Sequence, residues 1–221
     1  VSHLHLPDGL LPVWLWLPAL AVVVLLLVLS GRTLSPRRVA YQGALGAMML
    51  AAMSVPLGPL DYHLALAGPV GVLLGPAAAF QVVFVVTAIL AFLGHGGFTA
   101  IGLNTLLLAG AATGASLTYA VTAPRLRTPW ALAVATAVGQ TLSGLLWFAI
   151  VGVALRTAPD AAPATAEARL GVMTAVVIAL WLLGVLVESV VAWGIGRFLA
   201  RVRPGLLPGT APRAEEVAWS T

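Results

Sequence analysis

The chain contains no cysteine and no lysine. Without cysteine there is no disulfide framework, no thiolate nucleophile and no thiolate metal site, so any metal must be held through nitrogen and oxygen. Without lysine the phosphate-binding G-x-x-x-x-G-K-[ST] loop cannot be built, and any ATP hydrolysis the protein depends on belongs to another chain. Charge is also scarce: 8% of 221 residues are charged, against about 25% in an average soluble domain. All eleven basic residues are arginine and the net charge is only +4, so the basic balance does not describe a nucleic-acid surface, which needs clustered charge on an exposed face. No H-E-x-x-H occurs, nor a pair of carboxylates at helical spacing within an apolar run, which weighs against an intramembrane metalloenzyme.

What remains is apolar. Hydrophobic residues make up 61% of the chain and mean hydropathy is +1.05, the composition of an all-α, polytopic membrane protein. A helix crosses the hydrocarbon with about 20 mostly apolar residues. Runs of that kind lie at 11–30, 39–58, 77–94, 101–122, 130–155 and 170–200, with a shorter Gly- and Pro-rich stretch at 63–76. That gives about seven transmembrane segments in one helical domain over 1–204, followed by a tail at 205–221. Residues 1–12 carry no arginine, unlike the start of a secretory signal, so the first run is expected to be retained. Arginine collects on the cytoplasmic side of short loops. Arg32, Arg37, Arg38, Arg125, Arg127, Arg197, Arg201, Arg203 and Arg213 fall on one side, with only Arg156 and Arg169 on the other. The expected topology therefore has the amino terminus outside and a cytoplasmic carboxyl-terminal tail, which requires an odd number of crossings. The short stretch at 63–76 then either crosses or belongs to a broken element that does.

Small residues four apart, Gly43 with Ala47, Gly71 with Gly75, and Gly110 with Gly114, are expected to be packing faces, where close backbone approach replaces the missing hydrophobic drive. Trp14, Trp16, Trp130 and Trp147 read as interface anchors or bulk.

The four histidines, His3, His5, His63 and His95, all fall at the outer face in this topology. Histidine is the commonest nitrogen ligand. One that stands second or third from a free terminus adds the amine and intervening backbone amides, a flattened nitrogen set suited to Ni(II), Cu(II) or Co(II). Val1-Ser2-His3 has that form if Val1 is retained, and Ser2-His3 has the shorter form if the first residue is removed. The plainer alternative is four solvated loop histidines. In GHGGFTAIGLN, 94–104, the glycines around His95 disfavour helix and predict a re-entrant or capping loop, with Thr99 and Asn104 placed to orient ligand histidines or, for Asn104, to bond between helices. Asp8 is expected either to clamp a histidine N–H or close its loop, or to cap the first helix near Pro12. Glu188, well inside the last run, is expected to face the bundle, as a packing hydrogen bond or as a contact on an inward path.

HLPDGLLP at 5–12, HLALAGPVGVLLGP at 63–76, GHGGFTAIGLN at 94–104 and RVRPGLL at 201–207 resemble, in order and spacing, the CbiM/NikM family. These are the substrate-binding membrane subunits of energy-coupling-factor transporters for cobalt and nickel. The resemblance covers nearly the whole chain. It implies seven helices, an outward amino terminus, and Co2+ or Ni2+ as transported ligand, with no resident cofactor. It also implies a metal-binding segment at 1–10, with a terminal amine on Val1 or Ser2, an adjacent histidine and His63 as ligands. His5 matches the family's amino-terminal histidine through the following Leu-Pro-Asp-Gly, and His95 is a supporting or alternative ligand. The family typically begins Met-His, whereas four residues precede His5 here, so His3 takes that role if the terminus itself is the chelate. The implied partners are a transmembrane coupling subunit and two cytoplasmic ATPases, with a small accessory membrane subunit in some assemblies, in a prokaryotic plasma membrane. A metalloenzyme and a metal- or pH-sensing membrane protein are the competing classes.

Overall fold

The computed structural model describes residues 6, 8–9, 11–31, 36–57, 62–157 and 163–208. They form seven α-helices, α1 (Val13–Ser30), α2 (Pro36–Ser54), α3 (Ala67–Leu74), α4 (Pro76–Phe92), α5 (Ile101–Thr122), α6 (Thr128–Arg156) and α7 (Pro163–Val202). Four stretches are long and apolar enough to cross a membrane, Val13–Ser30, Ile101–Thr122, Thr128–Arg156 and Val176–Val202, and α4 is a shorter apolar helix. Local chemistry sets several boundaries. Prolines open α4 and α6 in the first turn, where a missing N–H costs nothing. At the end of α5 the Arg125 guanidinium donates to the Val121 carbonyl at 2.6 Å, satisfying an acceptor that the helix leaves over.

The third segment breaks the pattern of spans. At eight residues α3 is about 12 Å long, against a hydrocarbon thickness of about 30 Å. Gly75, at φ +76°, separates it from α4, a turn open to glycine at no steric cost. The ring of His63, just before α3, lies 5.4 Å from the ring of His95, just after α4. The chain therefore dips into the bundle through α3 and returns through α4 to the end it started from. This is the broken element allowed for at 63–76, in which α3 by itself is too short to cross. Residues Ala65 to Val72 are all buried, the setting in which irregular backbone survives among apolar helices.

Close approach of backbones seats α3. A Cβ on Gly71 would lie 2.6 Å from Ala112 Cα on α5 and closer still to the Ala112 carbonyl oxygen, and one on Gly68 would lie 2.8 Å from Thr136 Cγ2 on α6. Gly139 of α6 presses in turn on Ala111 of α5. The small-residue seam thus joins α3, α5 and α6. Of the spacings expected to pack, Gly43, Gly75 and Gly110 face open space, while Gly71 and Gly114 are in contact. Trp147 is buried and packs edge-on against Phe148, so it is core, whereas Trp14 and Trp130 are exposed as interface residues would be.

The packing is uneven. Helices α3, α5, α6 and α7 form the dense part, α1 leans on α5 and α4, and α2 rests on α4 with a lighter touch on α3. Between α1, α2 and α4 a groove of about 590 Å³ opens, lined by residues including Leu27, Gly46, Leu50, Val85 and Ile89, and it contains no histidine. At the end opposite the histidines a 3-10 turn at Pro204–Leu206 delivers Leu207 into a cluster with Tyr119, Leu132 and Ala192. Arg197 lies 5.4 Å from the Trp193 ring at this same end.

Because the Gly71 contact is with backbone, a neighbouring rotamer cannot relieve a clash there. Gly71→Ala is expected to destabilise the protein by about 1–3 kcal/mol, read as a lower midpoint in thermal unfolding of the detergent-solubilised protein, while Gly110→Ala leaves the midpoint close to the parent's.

Candidate metal centre

The segment that leads into α1 is pinned from two sides. Leu6 is fully buried in a cluster with Ala19, Leu103, Trp147 and Ile150, a burial worth about 1.5–3 kcal/mol. Its peptide groups are read by one amide side chain: Leu6 N–H donates to Asn104 Oδ1 at 2.8 Å, and Asn104 Nδ2 donates to the Leu6 carbonyl at 3.1 Å. A carboxamide carries both a donor and an acceptor, which is why an asparagine can pair a peptide in this reciprocal way. The Leu6 carbonyl accepts a further bond from Gly97 N–H at 3.1 Å.

Two residues further on, Asp8 docks the loop after α4. Its carboxylate accepts from Thr99 N–H at 2.8 Å, Thr99 Oγ1–H at 2.5 Å and Phe98 N–H at 2.9 Å. A Cβ on Gly97 would come within 2.8 Å of Asp8 Cγ, so only glycine lets the two segments lie together. The Thr99 hydroxyl, then the Thr99 and Phe98 amides, hold the Asp8 carboxyl below its ordinary 3.8. Asp8 therefore closes the loop; no side chain caps α1, whose N-cap is Pro12. Thr99 and Asn104, expected to orient histidines or support the loop, hold Asp8 and Leu6.

His63 and His95 are brought together. His63 is 5% exposed in the non-helical stretch before α3, while His95 sits exposed in the turn after α4, its N–H bonded to the Leu90 carbonyl at 2.8 Å. The rings meet edge to face at 83°. One side of this pair is a buried imidazole and the other faces open space, an arrangement that can take additional donors from an incoming strand. Val1, Ser2, His3 and His5 lie outside the described residues. Among the described residues no group of three or more His, Asp or Glu side chains stands ready for a metal.

Two contacts that sequence reasoning missed surround His63. Tyr62 O–H donates to the Gly184 carbonyl of α7 at 3.2 Å. Glu188, 2% exposed, accepts from Ala65 N–H and, at 3.2 Å, from Leu66 N–H. Glu188 thus faces the bundle as expected, its carboxylate bound to backbone amides. Leu66 is the N-cap of α3 and has φ +55°, a left-handed conformation uncommon outside glycine. A carboxylate in an apolar run signals an inward-facing polar contact, but its partner amides carry no mark in the sequence.

A family model described as CbiM, the cobalt uptake substrate-specific transmembrane region, matches residues 5–206. Three solved chains match the structure. One, described as a transition metal transporter, has a TM-score of 0.76 at 21% identity, covering 90% of this chain and 93% of the other. Another, described as a truncated transition metal transporter, has a TM-score of 0.71 at 20% identity, covering 89% and 96%. No curated protein sequence matches the chain.

Asn104→Leu leaves the buried Leu6 N–H without an acceptor and is expected to cost about 1–3 kcal/mol, measured as a fall in unfolding midpoint. Asp8 follows the sign of a depressed carboxyl: its docking contribution is complete above the ordinary 3.8 and lost as pH falls through the lower folded value. Hydrogen exchange at Phe98 and Thr99, corrected for intrinsic rates, is accordingly expected to stay slow from pH 7 to pH 5 in the parent and to be fast throughout that range in Asp8→Asn.

Proposed function

The chain belongs to the CbiM family of cobalt-uptake substrate-specific transmembrane regions, a transporter component and not an enzyme, and on that footing we propose that it captures a divalent Co2+ or Ni2+ ion from outside the cell. The ion's waters are replaced by His63, by nitrogens of the amino-terminal segment including His3 or His5 and the terminal amine of Val1 or Ser2, with His95 in support. The observation that carries this reading is the double clamp on Leu6 and Asp8. It fixes the leading segment beside Gly97, Phe98 and Thr99, at the end of the bundle where His63 and His95 meet. His5 is one peptide bond from clamped Leu6, and that bond spans about 3.8 Å between Cα atoms.

Nitrogen donors without thiolate suit both ions. The arginine-rich end, with Arg125, Arg127, Arg197, Arg201 and Arg203, supports an orientation with the histidines outside and the tail in the cytoplasm. The chain carries no nucleotide-binding loop, so inward release is driven by partners of the energy-coupling-factor type: a transmembrane coupling subunit and two ATPases in a prokaryotic plasma membrane. Such a subunit would supply the metal for cobalt- or nickel-dependent biosynthesis, that of cobalamin among them.

Titration of the purified protein with Co(II) or Ni(II) is expected to show one equivalent bound, lost in His63→Ala and weakened in His95→Ala. Binding unchanged by His63→Ala would sink the proposed site. Amino-terminal mass analysis of the same sample identifies the residue that bears the amine, and deletion of residues 1–5 is expected to abolish binding without unfolding the bundle.

A further inference from the structure

Gly184 and Glu188 stand four residues apart on α7, about one helical turn, and so share a face of that helix. That face grips the chain on both sides of His63. Tyr62 is held through its hydroxyl by the Gly184 carbonyl, and Ala65 and Leu66 are held through their N–H groups by the Glu188 carboxylate. The fit is close as well as polar: a Cβ on Gly184 would lie 3.3 Å from the Tyr62 ring. Two adjacent N–H donors call for an acceptor with no donor of its own, and an ionised carboxylate is the side chain that offers two such oxygens. Leu66 meets this acceptor in the left-handed conformation, the one non-glycine positive φ among the described residues, which persists only where surroundings over-determine it.

We propose that Glu188 is a positioning residue for metal capture: with Gly184 it fixes the backbone that carries His63, so that the affinity of the site depends on the axial register of α7. The proposal rests on the reading of His63 as a ligand. It gives Glu188 no contact with the ion. Because α7 continues from this grip to Val202 and the Pro204–Leu206 turn, a displacement of its far end is felt at Tyr62, Ala65 and Leu66.

The test uses the full chain in detergent, titrated with Co(II) and followed by its visible absorption, with Glu188→Gln and the milder Gly184→Ala as variants. Glutamine keeps one acceptor and sets an N–H2 against the second backbone donor. Glu188→Gln is expected to weaken Co(II) about 10- to 100-fold, the range seen when a group that orients a ligand is removed. The absorption bands of the saturated protein should not move, since the donors are the same. Hydrogen exchange at Ala65 and Leu66 should accelerate, and the rise in melting temperature on adding Co(II) should shrink relative to the parent. A role in folding alone lowers the metal-free melting temperature but leaves the Kd unchanged, and that result overturns the proposal. So does a change of the saturated spectrum, which would make Glu188 a ligand. If Glu188→Gln does not fold, Gly184→Ala decides by the same readings. His63→Ala separates the two levels: if it leaves binding intact the ligand assignment itself fails, whereas if it abolishes binding and the folded α7 variants bind as the parent does, only the α7 clamp fails.

Discussion

A peptide group that leaves the helix inside an apolar bundle must find a hydrogen-bond partner within the protein, and this structure depends on how that requirement is met at two places. Before α3 the chain runs non-helical through His63 to Leu66, and its free N–H groups at Ala65 and Leu66 are taken up by one carboxylate on α7. Before α1 the chain is again irregular, and Leu6 has both peptide groups taken up by Asn104. Without these partners each orphaned buried group would cost about 1–3 kcal/mol, and the two segments would be held less firmly where they are. The histidine end of the bundle is an arrangement of irregular backbone made tolerable by side chains on regular helices.

This explains why the sequence was legible in some places and not in others. Hydropathy placed α5 and α6 to within a few residues, the runs at 101–122 and 130–155 becoming helices at 101–122 and 128–156, whereas α7 begins at Pro163, ahead of the run expected from 170. The Gly- and Pro-rich stretch at 63–76 announced that something other than a plain span lay there. Its path was not readable, because a dip and a crossing have the same composition and differ only in which ends meet. The glycine spacings misled for a related reason. Every i, i+4 pair is a possible seam, and only the fold decides that Gly71 faces Ala112 while Gly110 faces nothing.

At the candidate site the loop-supporting roles open to Asp8, Thr99 and Asn104 have visible partners, and those partners are backbone groups and each other. Asp8, Thr99 and Asn104 all work in one loop cluster, in which Thr99 and Asn104 hold the amino-terminal segment at Asp8 and Leu6. Side chains that bind backbone leave no complementary residue for sequence reasoning to find. Family resemblance compensates for this, because ordered motifs such as HLPDGLLP and GHGGFTAIGLN carry the geometry of a loop pair that neither motif could specify alone. The match over residues 5–206 and the shared fold of the metal transporters fit that reading.

The contact of Gly71 with Ala112 also has a kinematic side. With a backbone carbonyl pressed where a Cβ would be, α3 has no room to slide along α5, and Gly139 on Ala111 locks α6 to the same rod. Helices α3, α5 and α6 are therefore the part of the bundle whose backbones leave the least space between them. The opposite holds at α1 and α2, whose facing surfaces are parted by a groove.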